Sequence, residues 1–356
     1  MRVILGMSGG VDSSVAALLL KRQGYNVTGV FMKNWEEKND ESVCNSEQDW
    51  EDVRRVCDKV DIPYYSVNFT EEYYERVFKI FLEAYSKGFT PNPDVLCNKE
   101  IKFNAFLDFA LKSGAKKIAT GHFVRTNDNG ELIKGVDLNK DQSYFLYMLK
   151  KAQLKKSLFP VGGLTKAEVR KIAADADIPV YDKKDSTGIC FIGERDFKKF
   201  LMDYFPTQKG AMITDTGETV GEHDGLMFYT IGQRRGLGIG GRGDGRSFFV
   251  VGKDIKNNTL IVAQGEDHPL LFSNSAKIED ITWIDDNIQP MENEAIELCA
   301  KFRYRQKDQD IILTYSGTSG IVECKKPQRA LTPGQSVVFY KGDVCLGGGI
   351  LVEAFK

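Results

Sequence analysis

The sequence has little of what several protein classes require. Among its 356 residues are three histidines and seven cysteines, and no two cysteines are spaced as Cys-x-x-Cys. A structural zinc or iron–sulfur site is therefore not expected. No apolar run approaches the length of a membrane span, and a predicted core strand begins almost at Met1, which leaves no room for a signal peptide. We expect a cytoplasmic protein with no membrane partner, whose cysteines are reduced thiols.

The chain also lacks an excess of positive charge. Its formal net charge is −2, so nucleic acid would have to bind to local basic patches. One candidate is the segment 301–307, in which Lys301, Arg303, Arg305 and Lys307 alternate with other residues. On a strand, this spacing would put four cations on one face, where they could contact phosphates. A solvated strand face is the alternative interpretation.

A glycine-rich segment stands out against this background. Residues 6–14 read Gly-Met-Ser-Gly-Gly-Val-Asp-Ser-Ser and directly follow the apolar run Val3–Leu5. The pattern predicts a strand, a tight turn and the start of a helix, with backbone N–H groups and serine hydroxyls that can hold phosphate. No lysine follows the glycines, so this is not a Walker loop. A plain glycine turn would not select Asp12 in the middle of the turn.

The order of predicted elements indicates the fold. Strand and helix signals alternate through the first 180 residues, which predicts an α/β domain with a parallel sheet and helices on both faces. After about Phe205, short strand-like runs are separated by glycine, asparagine and aspartate turns. We expect a small β-rich central domain followed by a C-terminal β-barrel. The expected domains are residues 1–204, 205–271 and 272–356.

Two cysteines lie in unusual surroundings. Residues 90–99 contain two prolines and two asparagines, which predicts a structured but irregular loop, with Asp94 three residues before Cys97. Cys190 has glycines on both sides and precedes a helix predicted to start near Glu194, where nearby lysines would favour the thiolate. Each could instead be a buried core cysteine. Two thiols beside a phosphate-binding loop suggest transfer of a persulfide sulfur to an atom activated by ATP.

These motifs resemble those of a known family. Ser-Gly-Gly-x-Asp-Ser resembles the PP-loop of ATP pyrophosphatases, and the segments around Cys97 and Cys190 resemble those of tRNA-specific 2-thiouridylases, a resemblance that covers the full chain. It implies a PP-loop, adenine nucleotide alpha hydrolase-like first domain. It also implies an enzyme that uses ATP and Mg²⁺ to adenylate the 2-carbonyl of the wobble uridine in tRNA. A persulfide donor, either a cysteine desulfurase or a sulfur-relay protein, would supply sulfur to yield 2-thiouridine, AMP and pyrophosphate.

The resemblance also implies roles for individual residues. Cys97 would be the nucleophile, Cys190 the persulfide carrier and Asp94 the acid/base. Cys97 would resolve the persulfide either by freeing hydrosulfide or by leaving a disulfide with Cys190. The ATP site would comprise Gly6, Met7, Ser8, Gly9, Gly10, Val11, Asp12, Ser13, Met32 and Gly121. The tRNA contacts would be Asn92, Pro93, Asp94, His122, Lys140, Asp141, Gln142, Arg303, Tyr304 and Gln335.

Two other functions fit parts of the sequence. Another PP-loop ligase or amidotransferase would pass nitrogen to an adenylated substrate, and such enzymes usually need a glutaminase part. A non-catalytic RNA-binding or adenine-nucleotide-sensing module would use the glycine loop but would not need both Cys97 and Cys190.

Overall fold

A computed structural model describes residues 1–35, 45–185, 197–240 and 245–356. The N-terminal part of this described chain contains a five-stranded parallel sheet in the order β3-β2-β1-β4-β7. The central strand β1 pairs with β2 and β4, as the alternating strand and helix signals predicted. The strands are β1 (Arg2–Met7), β2 (Asn26–Lys33), β3 (Tyr64–Asn68), β4 (Lys117–Ala119) and β7 (Ser157–Leu158).

Helices cover both faces of this sheet because successive side chains of β1 point to opposite sides. Val3 and Leu5 pack in a core with α1, α2 and α8, whereas Ile4 packs in a second core with α3 to α6. The helices are α1 (Val11–Arg22), α2 (Asn45–Val60), α3 (Thr70–Tyr73), α4 (Lys79–Ser86), α5 (Pro93–Leu96), α6 (Phe106–Lys112), α7 (Lys151–Lys155), α8 (Lys166–Asp175) and α9 (Phe197–Met202). π-helical turns join α3 to α4 (Tyr74–Phe78) and α5 to α6 (Cys97–Ala105).

The prediction of an irregular loop over residues 90–99 was wrong. A helix begins at Pro93 and continues through Cys97 to Lys112. Asn92 caps it, since its side chain accepts a hydrogen bond from the Asp94 backbone N–H at 3.2 Å. Proline is tolerated at the first helical position because an N–H there would have no partner within the helix. The Asn-Pro pair therefore starts a helix instead of preventing one.

The middle of the chain forms a separate small sheet. Its order is β10-β11-β8-β9, and the β8–β11 pair is parallel while the others are antiparallel. Met212, Val250 and Val262 contribute to the apolar cluster of this region. The predicted β-rich character is confirmed. The strands are β8 (Gly210–Thr214), β9 (Thr219–His223), β10 (Phe248–Asp254) and β11 (Thr259–Gln264).

The C-terminal part is a closed barrel, as predicted. Strand β12 pairs with both β15 and β17, which closes a ring of six antiparallel strands and leaves the ring without an edge. Trp283 and Phe339 stack in its interior, with ring centroids 5.6 Å apart. The ring consists of β12 (Phe272–Trp283), β13 (Ala295–Lys301), β14 (Gln309–Ser316), β15 (Ser319–Arg329), β16 (Ser336–Lys341) and β17 (Val344–Phe355).

A hairpin from the first half of the chain extends the barrel sheet. Strands β5 (Val124–Thr126) and β6 (Leu132–Lys134) pair with each other, and β6 pairs with β17 at Val344 and Cys345. The Lys134 ammonium lies 2.5 Å from the Asp308 carboxylate, beside the same junction. The N-terminal half and the barrel are thus joined by backbone pairing, which the local sequence of the hairpin did not indicate.

Among the described residues, none of the helices combines the length and apolar character that a bilayer crossing requires.

Candidate active site

The glycine-rich segment forms a turn between β1 and α1. Gly9 adopts a φ of 72°, a conformation that favours glycine. The Ser8 backbone N–H donates to Ser13 Oγ at 3.3 Å, and the Ser13 hydroxyl donates to the Gly10 carbonyl at 3.0 Å. Gly10 occupies the N-cap position of α1, where no described side chain makes a capping bond. The first N–H groups of α1 are therefore available to an anion.

Other predicted ATP residues lie close to this turn. A Cβ on Gly121 would be 2.7 Å from the Ser13 backbone nitrogen and 2.9 Å from the Asp12 carbonyl carbon, so only glycine fits there. A Cβ on Gly6 would lie 3.2 Å from Met32 Cε. The ends of β1, β2 and β4 thus bring Gly6–Ser13, Met32 and Gly121 together at the carboxyl edge of the sheet, where ligands of open α/β sheets bind. Their contact with ATP stays a prediction.

Two lysines reach the same turn, and sequence reasoning missed both. Lys166 Nζ lies 2.6 Å from Asp12 Oδ1, although 154 residues separate the two in sequence. Lys183 Nζ donates to the Gly9 carbonyl at 3.2 Å and to Asp49 Oδ1 at 2.7 Å. Burial raises the pKa of Asp12, and the Lys166 ammonium opposes that rise. The only hint of them in the local sequence was that the glycine loop contains no lysine of its own.

Asp185 connects this turn to a larger group of charges. It pairs with Lys166 at 2.8 Å, Lys140 at 2.6 Å and Arg170 at 2.9 Å. Burial acts to raise the pKa of Asp185, but hydrogen bonds from Lys140 and Lys166 lower it to about 2. Asp185 is therefore a carboxylate at any ordinary pH.

Of the two predicted reactive cysteines, Cys97 lies within the described part of the chain. Cys97 is completely buried, in the first π-helical residue after α5, and Asp94 lies one turn earlier on the same helix. The neighbouring Asn98 donates from Nδ2 to the Phe145 carbonyl at 3.4 Å. Cys190 and the helix expected near Glu194 lie outside the described residues.

Several predicted tRNA contacts make bonds within the chain. His122 is buried, with Nδ1 2.8 Å from Thr120 Oγ1, and burial lowers its pKa well below the usual value, so the ring is neutral. Gln142 Oε1 accepts the Phe123 N–H at 2.9 Å. Gln335 Nε2 donates to the Thr90 carbonyl at 2.6 Å. These side chains hold loops in place, and their contact with tRNA stays a prediction.

Asp141 and Tyr304 lie where the first domain meets the barrel. Asp141 is buried and accepts hydrogen bonds from the backbone N–H groups of Gly135 and Ser143, both at 3.1 Å. The Tyr304 ring lies against Phe145, with centroids 4.6 Å apart. The 140–145 segment is thus packed against the barrel through Asp141 and Phe145.

The predicted strand with four cations on one face was wrong. Strand β13 ends at Lys301, and a turn follows in which Arg305 has a φ of 64°. Lys301 is buried and pairs with Asp141 at 3.3 Å, whereas Arg303 donates to the Arg329 carbonyl at 2.9 Å. The alternating pattern failed because the chain turns at the point where the alternation would have continued.

Because Lys301 is buried and Arg305 is exposed, substitutions at these two positions should have different effects. Lys301→Met should lower the free energy of unfolding by about 3 kcal/mol, because it leaves the buried Asp141 carboxylate without its cation. Arg305→Gln is at an exposed position and should instead reduce the salt dependence of tRNA binding by about one unit of slope. Urea-induced unfolding and tRNA binding at several salt concentrations measure the two effects. A reduced slope for Lys301→Met at unchanged stability would contradict this assignment.

Comparison with known proteins agrees with the three-part architecture. Residues 1–194 match the family model described as tRNA methyl transferase HUP domain. Residues 198–264 match tRNA methyl transferase PRC-barrel domain, and residues 273–351 match Aminomethyltransferase beta-barrel domain.

Curated relatives match over the whole chain. The tRNA-specific 2-thiouridylase MnmA of Alkaliphilus oremlandii is 56% identical over 100% of this chain and 98% of its own length. The chain belongs to the tRNA-specific 2-thiouridylase family. MnmA of Bacillus subtilis is 54% identical and that of Enterococcus faecalis 53% identical, each over 100% of this chain and 96% of the relative. The family resemblance read from the sequence is confirmed.

Proposed function

We propose that this chain adenylates the C2 oxygen of the wobble uridine in tRNA and then replaces that oxygen with sulfur carried as a persulfide. Family membership establishes the coarser statement that the chain is a tRNA sulfurtransferase. Its use of ATP is part of the proposal. The observation that carries the finer proposal is the turn after β1, where the uncapped start of α1 and the hydroxyls of Ser8 and Ser13 can hold phosphate.

Adenylation makes a good leaving group from a poor one. The uridine O2 attacks the α-phosphorus of ATP, the bond to the β-phosphate breaks, and pyrophosphate leaves. The α1 N–H groups stabilise the charge that develops on the leaving phosphates. Among the described residues, no group of three His, Cys, Asp or Glu side chains could hold a metal. The Asp12 carboxylate, in the first turn of α1, would hold Mg²⁺, which would neutralise part of the phosphate charge.

Sulfur transfer then uses two thiols. A sulfane sulfur delivered by the donor is carried on Cys190 as a persulfide. In the direct route its terminal sulfur attacks C2 and AMP leaves; the Cys97 thiolate then attacks Cys190 Sγ and breaks the S–S bond, which frees the 2-thiouridine. In the alternative route Cys97 attacks first and the released hydrosulfide attacks C2. Either route ends in a Cys97–Cys190 disulfide, which a dithiol reductant must reduce before the next turnover.

Asp94 and its neighbours would act on the base. Asp94 and Cys97 are three residues apart on one helix, so they share a helix face. We assign Asp94 the acid/base role on the uracil ring, and place Asn92 and Pro93 at the same base. The target nucleotide must leave the anticodon stack to reach this helix. His122, Lys140–Gln142, Arg303, Tyr304 and Gln335 would hold the surrounding tRNA.

One experiment tests the proposal directly. The full chain is incubated with tRNA, ATP, Mg²⁺ and a cysteine desulfurase with cysteine, and the tRNA nucleosides are identified by mass spectrometry. We expect 2-thiouridine, with AMP and pyrophosphate formed in equal amounts. A nitrogen-containing nucleoside would support an amidotransferase instead. Binding of tRNA and ATP without AMP release would support a non-catalytic module.

A further inference from the structure

The ATP site has a cation that its loop sequence does not supply. Lys166, the first residue of α8, places Nζ 2.6 Å from Asp12 Oδ1 and 2.8 Å from Asp185 Oδ1. Its side chain is 11% exposed, and Nζ lies 5.7 Å from the centre of the Phe123 ring. The ammonium is therefore held beside the first turn of α1, where Asp12 is the second residue.

Lys166 pairs with two carboxylates, Asp12 and Asp185, and these differ in the number of other cations beside them. Asp185 has two further cations, Lys140 and Arg170, within 3 Å, so it stays neutralised without Lys166. Among the described residues, Asp12 pairs with Lys166 alone. A bound ligand can therefore take over Lys166 without leaving Asp185 unpaired.

Lys183, the second lysine at the turn, is held more firmly. Its Nζ lies 2.7 Å from both Asp49 Oδ1 and Asp52 Oδ2, and also donates to the Gly9 carbonyl. These bonds fix α2 to the glycine turn. Of the two lysines, Lys166 is the one whose present partner at the loop is a partly exposed carboxylate, since the Asp12 side chain is 32% exposed.

We propose that Lys166 is the phosphate-binding cation of the ATP site: its ammonium exchanges Asp12 for the β- and γ-phosphates of ATP and keeps its contact with Asp185. This inference rests on the proposed function. A lysine ammonium is a compact point charge that suits a phosphate, as in the Walker loop, where the lysine comes from the loop itself. Here the equivalent charge comes from a helix far along the chain.

Nucleotides of different phosphate content test this inference. ATP, pyrophosphate and AMP are titrated into the full chain by calorimetry, for the wild type, Lys166→Met and Lys171→Met. Lys171 lies exposed on the same helix and serves as the matched control. We expect Lys166→Met to weaken ATP and pyrophosphate binding about 10- to 100-fold, as loss of a charge-assisted hydrogen bond does, and to change AMP binding by less than about twofold. Lys171→Met should match the wild type.

The remaining outcomes of the titrations distinguish failure of this inference from failure of the proposed function. Equal weakening of AMP and ATP, or no weakening of either, would overturn the inference, because Lys166 would then only support the fold. If Lys166→Met does not fold, Lys166→Gln removes the charge while an amide remains to bond Asp12 and Asp185, and the same results are expected. A wild type that binds none of the three ligands would instead contradict the proposed function.

Discussion

A Cys190→Ser variant is expected to consume ATP and release pyrophosphate in the presence of tRNA, which leaves the tRNA adenylated, and to make no detectable 2-thiouridine. Adenylation uses no thiol, whereas the persulfide that attacks C2 requires the Cys190 sulfur. The variant should also fail to hold sulfane sulfur after exposure to a cysteine desulfurase and cysteine. Pyrophosphate release, nucleoside mass spectrometry and peptide mapping measure the three quantities on one preparation.

Cys97→Ser should stop the reaction one step later. It should accept sulfur on Cys190 but form no free 2-thiouridine, because release needs a second thiolate within bonding reach. Mild oxidation of the wild type should join the two residues, which requires their Cα atoms to come within about 7 Å in one conformation.

Cys324→Ser provides the matched control. Cys324 lies on the barrel, and burial raises the pKa of its thiol to about 11, so it carries little thiolate. This variant should thiolate tRNA at the wild-type rate. Persulfide on a cysteine other than Cys190, or thiolation by Cys190→Ser, would overturn the division of roles between the two thiols.

Gly121→Ala should reduce adenylation at least about 100-fold. The new Cβ would meet the Ser13 backbone nitrogen at 2.7 Å, a contact that neither group can relieve by rotating a side chain. The start of α1 must then shift, and misplacement of a reacting group by about 1 Å can cost on the order of 100-fold in rate. The rate of pyrophosphate release from ATP in the presence of tRNA measures the effect.

Gly163→Ala is the control for that substitution. An added Cβ at Gly163 would have no heavy atom within 4 Å, so the change should be tolerated without loss of rate. Circular dichroism and thermal melting should show that both variants fold. Full activity of folded Gly121→Ala would mean that ATP is not held at the start of α1.

Local patterns predicted the elements that depend on local chemistry. The apolar run before Gly6, the glycine turn and the helix after it follow from backbone freedom and hydrophobic burial, and the structure contains all three. The strands of the central sheet and the barrel follow from short apolar runs between turn residues. The closure of the barrel by β12 and β17 depends on pairing between strands far apart in sequence.

The wrong predictions arose where the role of a residue depends on a partner that the local pattern does not reveal. Pro93 disfavours the interior of a helix but suits its first turn, and only the cap made by Asn92 decides between the two. Lys301 belongs to a charged pattern, yet its partner Asp141 lies 160 residues earlier. Lys166 was missed for the same reason, because nothing near it in sequence indicates the glycine turn.

The pairing of β6 with β17 has a consequence for synthesis on the ribosome. The Lys134 ammonium donates to the Gly342 carbonyl, and the two residues are 208 positions apart in the sequence. The ribosome therefore adds the second partner long after the first. Until Val344 and Cys345 emerge, the edge of β6 opposite β5 has no strand to pair with. A nascent chain, or one cut short before the barrel, therefore presents an open strand edge that favours self-association. Pairing with β17 closes this edge of the hairpin only after the barrel has been synthesised.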